Sequence, residues 1–311
     1  MYKRQIYHTL TPASAPQDSA VALGYFDGVH SGHRAVLGAA VTYAAQHGLT
    51  AAAFTFELPG NNSLKGGRIL SLAQKHTRVA QLGIAQYWEP SFEEFRALSP
   101  EDFVRRVLVD CFHAKAVFCG DNFTFGAYAA GNVALLEQLC APYGITVDVV
   151  PMAQYGGQTV SSTRIRAALE EGRLDDANTM LGKPYAIDWA VTHGKGIGSG
   201  KLGTPTINQN YPAEALQPCT GVYLTRILLD GQWRPAATGI GRRPTVDSSA
   251  NAAVTCETFV PDYVGNVYGQ TPLLEFHKYL CPVRKFNSMD ELAALIHHAA
   301  EESKAYFAAQ H

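Results

Sequence analysis

The sequence predicts two folds in one chain: an α/β domain with a parallel sheet, then an all-β domain forming a small antiparallel barrel with a terminal helix. Strand and helix signals alternate up to Gly182, as repeated βαβ units require. Beyond Lys183-Pro184 that rhythm stops, and short β-prone runs follow, separated by Gly, Pro, Asn and Asp. The boundary falls near residues 182–186, giving domains 1–183 and 184–311.

Residues 21–26 read as a buried strand, and 27–33 as a loop with Gly28 and Gly32 entering an Ala-rich helix over 34–46, which Gly48 stops. A second strand covers 50–56. Residues 75–82 and 100–112 carry helical spacing, and 116–119 is a strand. Helix 135–139 and strand 145–150 follow. Ser161, Ser162 and Thr163 supply hydroxyls where helix 164–170 begins, and Gly172 stops it. Helix 174–181 closes the first part. The β-prone runs of the second part are 186–192, 222–229, 236–240, 253–260 and 273–280. In 288–307, Leu292, Leu295, Ile296 and Ala299 recur at helical spacing, so a terminal helix can pack on the barrel.

Composition removes several function classes. The 311 residues suit two domains at roughly 100–200 each, and 47% hydrophobic with 17% charged residues is ordinary for a globular protein. Lys and Arg total 25 against 27 Asp and Glu; cut near Gly182, the counts are 14 against 16 and 11 against 11. Neither part holds the cationic surplus that phosphate-backbone binding needs, so nucleic acid is not the expected partner. No window approaches the ~18 apolar residues of a membrane helix, and the start lacks a signal-peptide core, which argues against membrane insertion and export. The six cysteines are scattered without a C-x-x-C pair. A cytoplasmic protein with free thiols and no zinc site is the simplest expectation.

Six stretches could carry chemistry. His30-x-Gly32-His33 stands at a helix mouth, where free N–H groups, the dipole and two imidazoles suit phosphate; alone, it reads equally as a surface loop. Ser161-Ser162-Thr163-Arg164-Ile165-Arg166 offers hydroxyls and guanidiniums to an anion, or is an N-cap with exposed arginines. Both follow strand signals, and the carboxyl ends of parallel strands converge on one crevice. Gly120-Asp121-Asn122-Phe123-Thr124-Phe125-Gly126 presents an amide and two aromatics to a planar ligand, or plugs the core. In the second part, a glycine-rich loop from Gly194 to Gly203 with Lys195 and Lys201 can wrap phosphates or be a hairpin; it lacks the Walker A ending. Thr206 and Asn208 then offer oxygens to Mg2+, or form a turn. Glu257, between Cys256 and Thr258, is expected to face the interior by alternation, where a carboxylate needs a partner or a catalytic task.

Together these stretches resemble the family of bifunctional prokaryotic riboflavin kinases and FAD synthetases, from about Val21 to the last helix. The carrying motifs are GYFDGVHSGH at 24–33, GDNFTFG at 120–126, SSTRIR at 161–166, HGKGIGSGKLGTPTIN at 193–208, GVY at 221–223, GIGRRPT at 239–245, CETF at 256–259, VYG at 267–269 and KF at 285–286. The resemblance implies a Rossmann-like nucleotidyltransferase domain making FAD from FMN, joined to a kinase barrel making FMN from riboflavin, both with ATP and Mg2+.

By that resemblance His30 and His33, in the loop of Gly24, Phe26, Asp27 and Gly32, hold ATP phosphates. Ser161, Ser162, Thr163 and Arg166 assist at the triphosphate, and Asn122 with Phe123 and Phe125 lies toward nucleotide or flavin. Gly194 and Lys201 belong to the kinase phosphate loop, Thr206 and Asn208 handle Mg2+-ATP, and Glu257 is the catalytic carboxylate. The chain departs from the family at Leu58-Pro59-Gly60, where Pro-His-Pro is usual, at Cys281-Pro282 for Arg-Pro, and at Ala299 for Asp; Arg284 is a candidate substitute near the flavin. Two alternatives stay open: an active adenylyltransferase with the barrel as flavin-binding appendage, or a non-catalytic flavin or nucleotide sensor. The expected partners are riboflavin, FMN and ATP.

Overall fold

The computed structural model describes residues 5–11, 17–58, 66–193, 206–242, 254–282 and 289–309. Gly194, Lys201 and Arg284 lie outside them. Contacts divide the chain into one unit of Met1–Lys65 and Leu72–Ser162, and a second of Gly66–Ser71 and Thr163–His311. That division falls earlier than the boundary read from composition.

The first unit contains β1 (Gln5–Tyr7), β2 (Ser19–Leu23), α1 (Ser31–His47), β3 (Thr50–Phe54), α2 (Leu72–Gln81), β4 (Gln86–Trp88), α3 (Pro100–Asp102), β5 (Ala114–Gly120), α4 (Val133–Cys140), β6 (Thr146–Val150) and the hairpin strands β7 (Gln154–Tyr155) and β8 (Gln158–Thr159). Helix α3 starts at Pro100, capped by the Ser99 side chain, and runs on as a π-helix over Phe103–Cys111 rather than as an even α-helix.

Six strands form one parallel sheet in the order β1-β4-β3-β2-β5-β6. All five residues of β2 are buried, as a central parallel strand covered on both faces demands. The alanines of β3 and the buried Leu37, Ala40 and Ala44 let α1 lie close on β2, β3 and β5. Val21, Phe54, Trp88, Val107, Phe112, Val117 and Leu136 form the core on the sheet, each contributing roughly 1.5–3 kcal/mol by burial. The strand read over 21–26 ends at Leu23, because Phe26 takes a left-handed φ of 55° that no strand can continue.

The second unit holds α5 (Ser162–Glu170, its first residue still in the first unit), α6 (Leu174–Leu181), β9 (Tyr185–Ile187), β10 (Val191–Thr192), β11 (Thr206–Asn210), β12 (Gly221–Leu229), β13 (Gln232–Arg242), β14 (Val254–Phe259), β15 (Leu274–Pro282) and α7 (Met289–Ala308). Its antiparallel sheet is ordered β10-β11-β14-β13-β12-β15-β9, with no closing pair among the described residues. The run 186–192 is therefore two strands at opposite ends of the sheet. Asp230 and Gly231, with φ 51° and 74°, make the tight turn joining β12 to β13.

The enclosed face carries Tyr223, Ile240, Cys256 and a hydroxyl ladder in which Thr225, Thr238 and Thr258 are linked at 2.8 and 3.0 Å. On the other face α7 packs Ala299 and Ala300 against Val222, Ala237 and Phe259, and Ser303 Oγ donates to the Thr225 carbonyl at 2.9 Å. Helix α6 is fastened to this sheet by Asn178, whose Nδ2 donates to the Phe276 carbonyl and whose Oδ1 accepts from Tyr185 N–H.

Candidate active sites

The turn after β2 is built around three left-handed residues, Phe26, Gly28 and Val29, with φ of 55°, 82° and 44°. A Cβ on Gly24 would stand 2.8 Å from the Phe26 ring, so that ring can fold back only over glycine. The turn delivers His30 to the N-cap of α1, where its Nδ1 accepts the His33 N–H at 3.3 Å. The two imidazoles stack at 3.5 Å, and Phe26 meets His33 edge-on at 5.4 Å.

Burial, then the nearby Arg34, lowers the His30 pKa to about 4. Burial, then His30 and Lys75, holds His33 well below its ordinary value. Both rings are thus neutral at pH 7. With Nδ1 accepting, neutral His30 carries its proton on Nε2 as a donor. A long helix's N-terminal N–H groups beside a neutral imidazole donor have the chemistry to hold phosphate without a fixed side-chain cation in the motif.

Ser162 joins this turn: its Oγ donates to the Asp27 carbonyl at 2.9 Å. Ser161 stands just before α5, and Thr163 is exposed. Arg166 is not an exposed arginine; it is 7% exposed, and its Nε donates to the Gly67 carbonyl at 2.9 Å within the second unit. In the 120–126 stretch, Asn122 is exposed just past β5, whereas Phe125 is buried in the core against Phe103 and Phe123 packs beside it. The core-plug alternative therefore describes Phe125 better than ligand contact does, since packing already covers the ring.

The sequence reading missed a buried charged network under the same turn. Lys75 Nζ on α2 donates to Thr55 Oγ1 at 3.0 Å and to Glu89 Oε1 at 3.2 Å, and His76 Nε2 meets Glu89 Oε2 at 2.7 Å. Burial pushes the Glu89 carboxyl up, but the His76 hydrogen bond and the Lys75 charge outweigh it and hold the carboxyl below its usual range. His8 and Glu57 bring further ligand atoms within 4.8 Å of Glu89. Both Glu89 oxygens already accept from Lys75, Tyr87 and His76, so the group reads as an ion-pair cluster rather than a metal centre.

In the second unit, Thr206 and Asn208 lie on strand β11, not in a turn. Asn208 sits directly opposite Glu257 of β14, and Glu257 directly opposite Gly239 of β13. Opposed residues share a face, so Thr206, Asn208 and Glu257 project from the same side of the sheet. Asn208 Nδ2 donates to the Thr206 carbonyl at 3.2 Å. The expectation that Glu257 faces the interior is corrected: Cys256 and Thr258 are fully buried and Glu257, one residue out of phase, is part-exposed on the opposite face. Gly239 keeps that face low beside the carboxylate.

A helix-mouth phosphate grip on a parallel sheet, and a carboxylate with amide and hydroxyl oxygens on an antiparallel one, define a two-unit, nucleotide-handling transferase. Residues 13–164 match the FAD synthetase family and residues 181–307 the riboflavin kinase family. The chain belongs to the family of bifunctional riboflavin kinase/FMN adenylyltransferases. It is 33% identical over 296 residues to the member from Bacillus subtilis, covering 93% of this chain and 92% of that one. It is 32% identical over 292 residues to the member from Escherichia coli K12, covering 91% of each. A solved structure described as a macrolide-efflux protein from Streptococcus pneumoniae superposes with a TM-score of 0.84 at 25% identity, over 97% of this chain and 98% of that one. Among the described residues no helix is long and apolar enough to cross a membrane.

Proposed function

We propose that this chain phosphorylates riboflavin to FMN with residues 184–311 and adenylylates FMN to FAD with residues 1–183, using ATP and Mg2+ in each step. The observation that carries the two-activity reading is the pairing of Glu257 with Asn208 on the antiparallel sheet of the second unit, a different sheet from the one that leads into the His30 turn. Six free cysteines support a reducing, cytoplasmic setting, and the net charge of −2 supports small-molecule partners over nucleic acid.

In the kinase step the nucleophile is a neutral ribityl hydroxyl. Glu257 accepts its proton as the oxygen bonds to the γ-phosphorus and the bond to ADP breaks. Thr206 and Asn208 provide hard oxygen donors on the same face, the kind Mg2+ takes, and the ion would neutralise phosphate charge there. Gly194, Lys201 and Arg284 enter through the family resemblance alone. In the adenylyl step the FMN phosphate is already anionic and needs no base. Its oxygen bonds to the α-phosphorus while the bond to pyrophosphate breaks, and the α1 N-terminus with His30 and His33 stabilises the departing charge. Ser162 supports this grip through the Asp27 carbonyl, and exposed Asn122 is free to face the substrates from the carboxyl edge of the sheet.

The test is one incubation of the purified chain with riboflavin, ATP and Mg2+, with products resolved by chromatography. FMN followed by FAD is expected. FAD formed from supplied FMN but no FMN formed from riboflavin leaves the adenylyltransferase alone; no turnover of either flavin leaves a sensor.

A further inference from the structure

Lys75 has no role in the function as described, yet the residue is only 6% exposed beneath the phosphate turn. An ammonium has no acceptor, so in its contact with Thr55 the hydroxyl oxygen must accept. That commits the hydroxyl proton outward, and it is donated to the Tyr25 carbonyl at 2.8 Å. Thr55 is itself anchored, since its N–H donates to the Trp88 carbonyl at 2.8 Å. Tyr25 is also covered by Lys75, whose Nζ lies 5.1 Å from its ring centroid. The fixed carbonyl immediately precedes Phe26, the first of the left-handed residues that steer the chain to His30. Ser162 fixes the next carbonyl but one, at Asp27, from the other side.

We propose that Lys75 and Thr55 are positioning residues for adenylyl transfer, through a directional chain from Lys75 Nζ to Thr55 Oγ1 to Tyr25 O that holds the turn presenting His30 and His33. Glu89 is the counter-charge that allows the ammonium to be buried, since an unpaired buried lysine is too costly to keep charged. The inference rests on reading the first unit as an FMN adenylyltransferase.

The experiment uses the full chain and measures FMN-to-FAD and riboflavin-to-FMN rates on the same samples, the second rate reporting intact protein. Thr55→Val keeps the side-chain shape and the Lys75–Glu89 pair but removes the hydroxyl. It is expected to lower kcat for FAD formation about tenfold, with FMN formation unchanged. Thr55→Ser restores the hydroxyl and is expected to recover most of the rate, and Lys75→Met to behave like Thr55→Val. The inference is overturned if Thr55→Val matches wild type, or if Thr55→Ser is as impaired as Thr55→Val, which would mark the methyl's packing as what matters. If Lys75→Met does not fold, the two Thr55 variants decide. A wild-type chain that makes FMN but no FAD removes the adenylyltransferase reading and this inference with it; a wild-type chain that makes FAD with rates indifferent to Thr55 removes this inference alone.

Discussion

Ser162 Oγ and the Asp27 carbonyl, 135 positions apart in sequence, are joined by a 2.9 Å hydrogen bond. Two segments that each look like a phosphate loop in the sequence therefore meet at one turn. The serine's proton is spent on the protein, where it holds the turn after β2.

If Glu257 is the kinase base, Glu257→Gln should lower FMN formation on the order of 10²-fold or more and leave FMN-to-FAD conversion within twofold of wild type. Steady-state rates for the two half-reactions on one preparation give the answer. Equal loss of both activities in folded protein would refute the assignment.

Replacing His30 and His33 by Ala should do the reverse, cutting FAD formation by roughly 10²-fold while riboflavin phosphorylation persists. Losing the His30 cap also costs about 1 kcal/mol of helix stability. A thermal melt run beside the rate assay separates that loss from the catalytic one.

The histidines also set a pH dependence. In the unfolded chain each binds a proton near pH 6.5; in the fold His30 does so only at about 4, and His33 only well below its ordinary value. The unfolded state therefore holds more protons between these values. The stabilisation is fully present above about pH 6.5 and is lost as pH falls toward about 4, by up to about 3 kcal/mol for His30. Urea melts across pH 4–7.5 should show a shallower slope for His30→Gln than for wild type; identical slopes would mean the ring is not held neutral.

Gly67 offers a purely steric test. A Cβ there would lie 2.4 Å from Leu216 N, in the segment where Arg68 exchanges backbone hydrogen bonds with the chain around Ala215. Gly67→Ala must push backbone apart and should cost about 1–3 kcal/mol, seen as a lowered Tm; Gly144→Ala, where a Cβ meets nothing within 4 Å but φ is 67°, gives for comparison the loss from left-handed backbone strain alone, which Gly67 does not incur. A Tm loss no larger at Gly67 than at Gly144 would show that the segment yields easily.

Much of this architecture was legible. The apolar runs of β2, β3 and β5 and the capped, Ala-rich α1 announce a parallel α/β sheet, and the Asp230-Gly231 pair lies between two β-prone runs. The three-residue strands β1 and β4 were not legible, because their place comes from pairing with distant neighbours rather than from local propensity. The facing of Glu257 was misread for a related reason. In the run Val-Thr-Cys-Glu-Thr-Phe the buried phase contains Thr258, and a threonine goes inside only because Thr238 on another strand takes its hydroxyl. Lys75 escaped notice because a polar run on a helix looks solvent-facing until Glu89, just past the end of β4, is seen to neutralise it.

The hydroxyl ladder of Thr225, Thr238 and Thr258 closes off the inside of the second unit's sheet with atoms already satisfied by one another. Replacing Thr238, the middle rung, would strip a partner from both of the others, so the polarity of this interior is a property shared by three strands rather than owned by one.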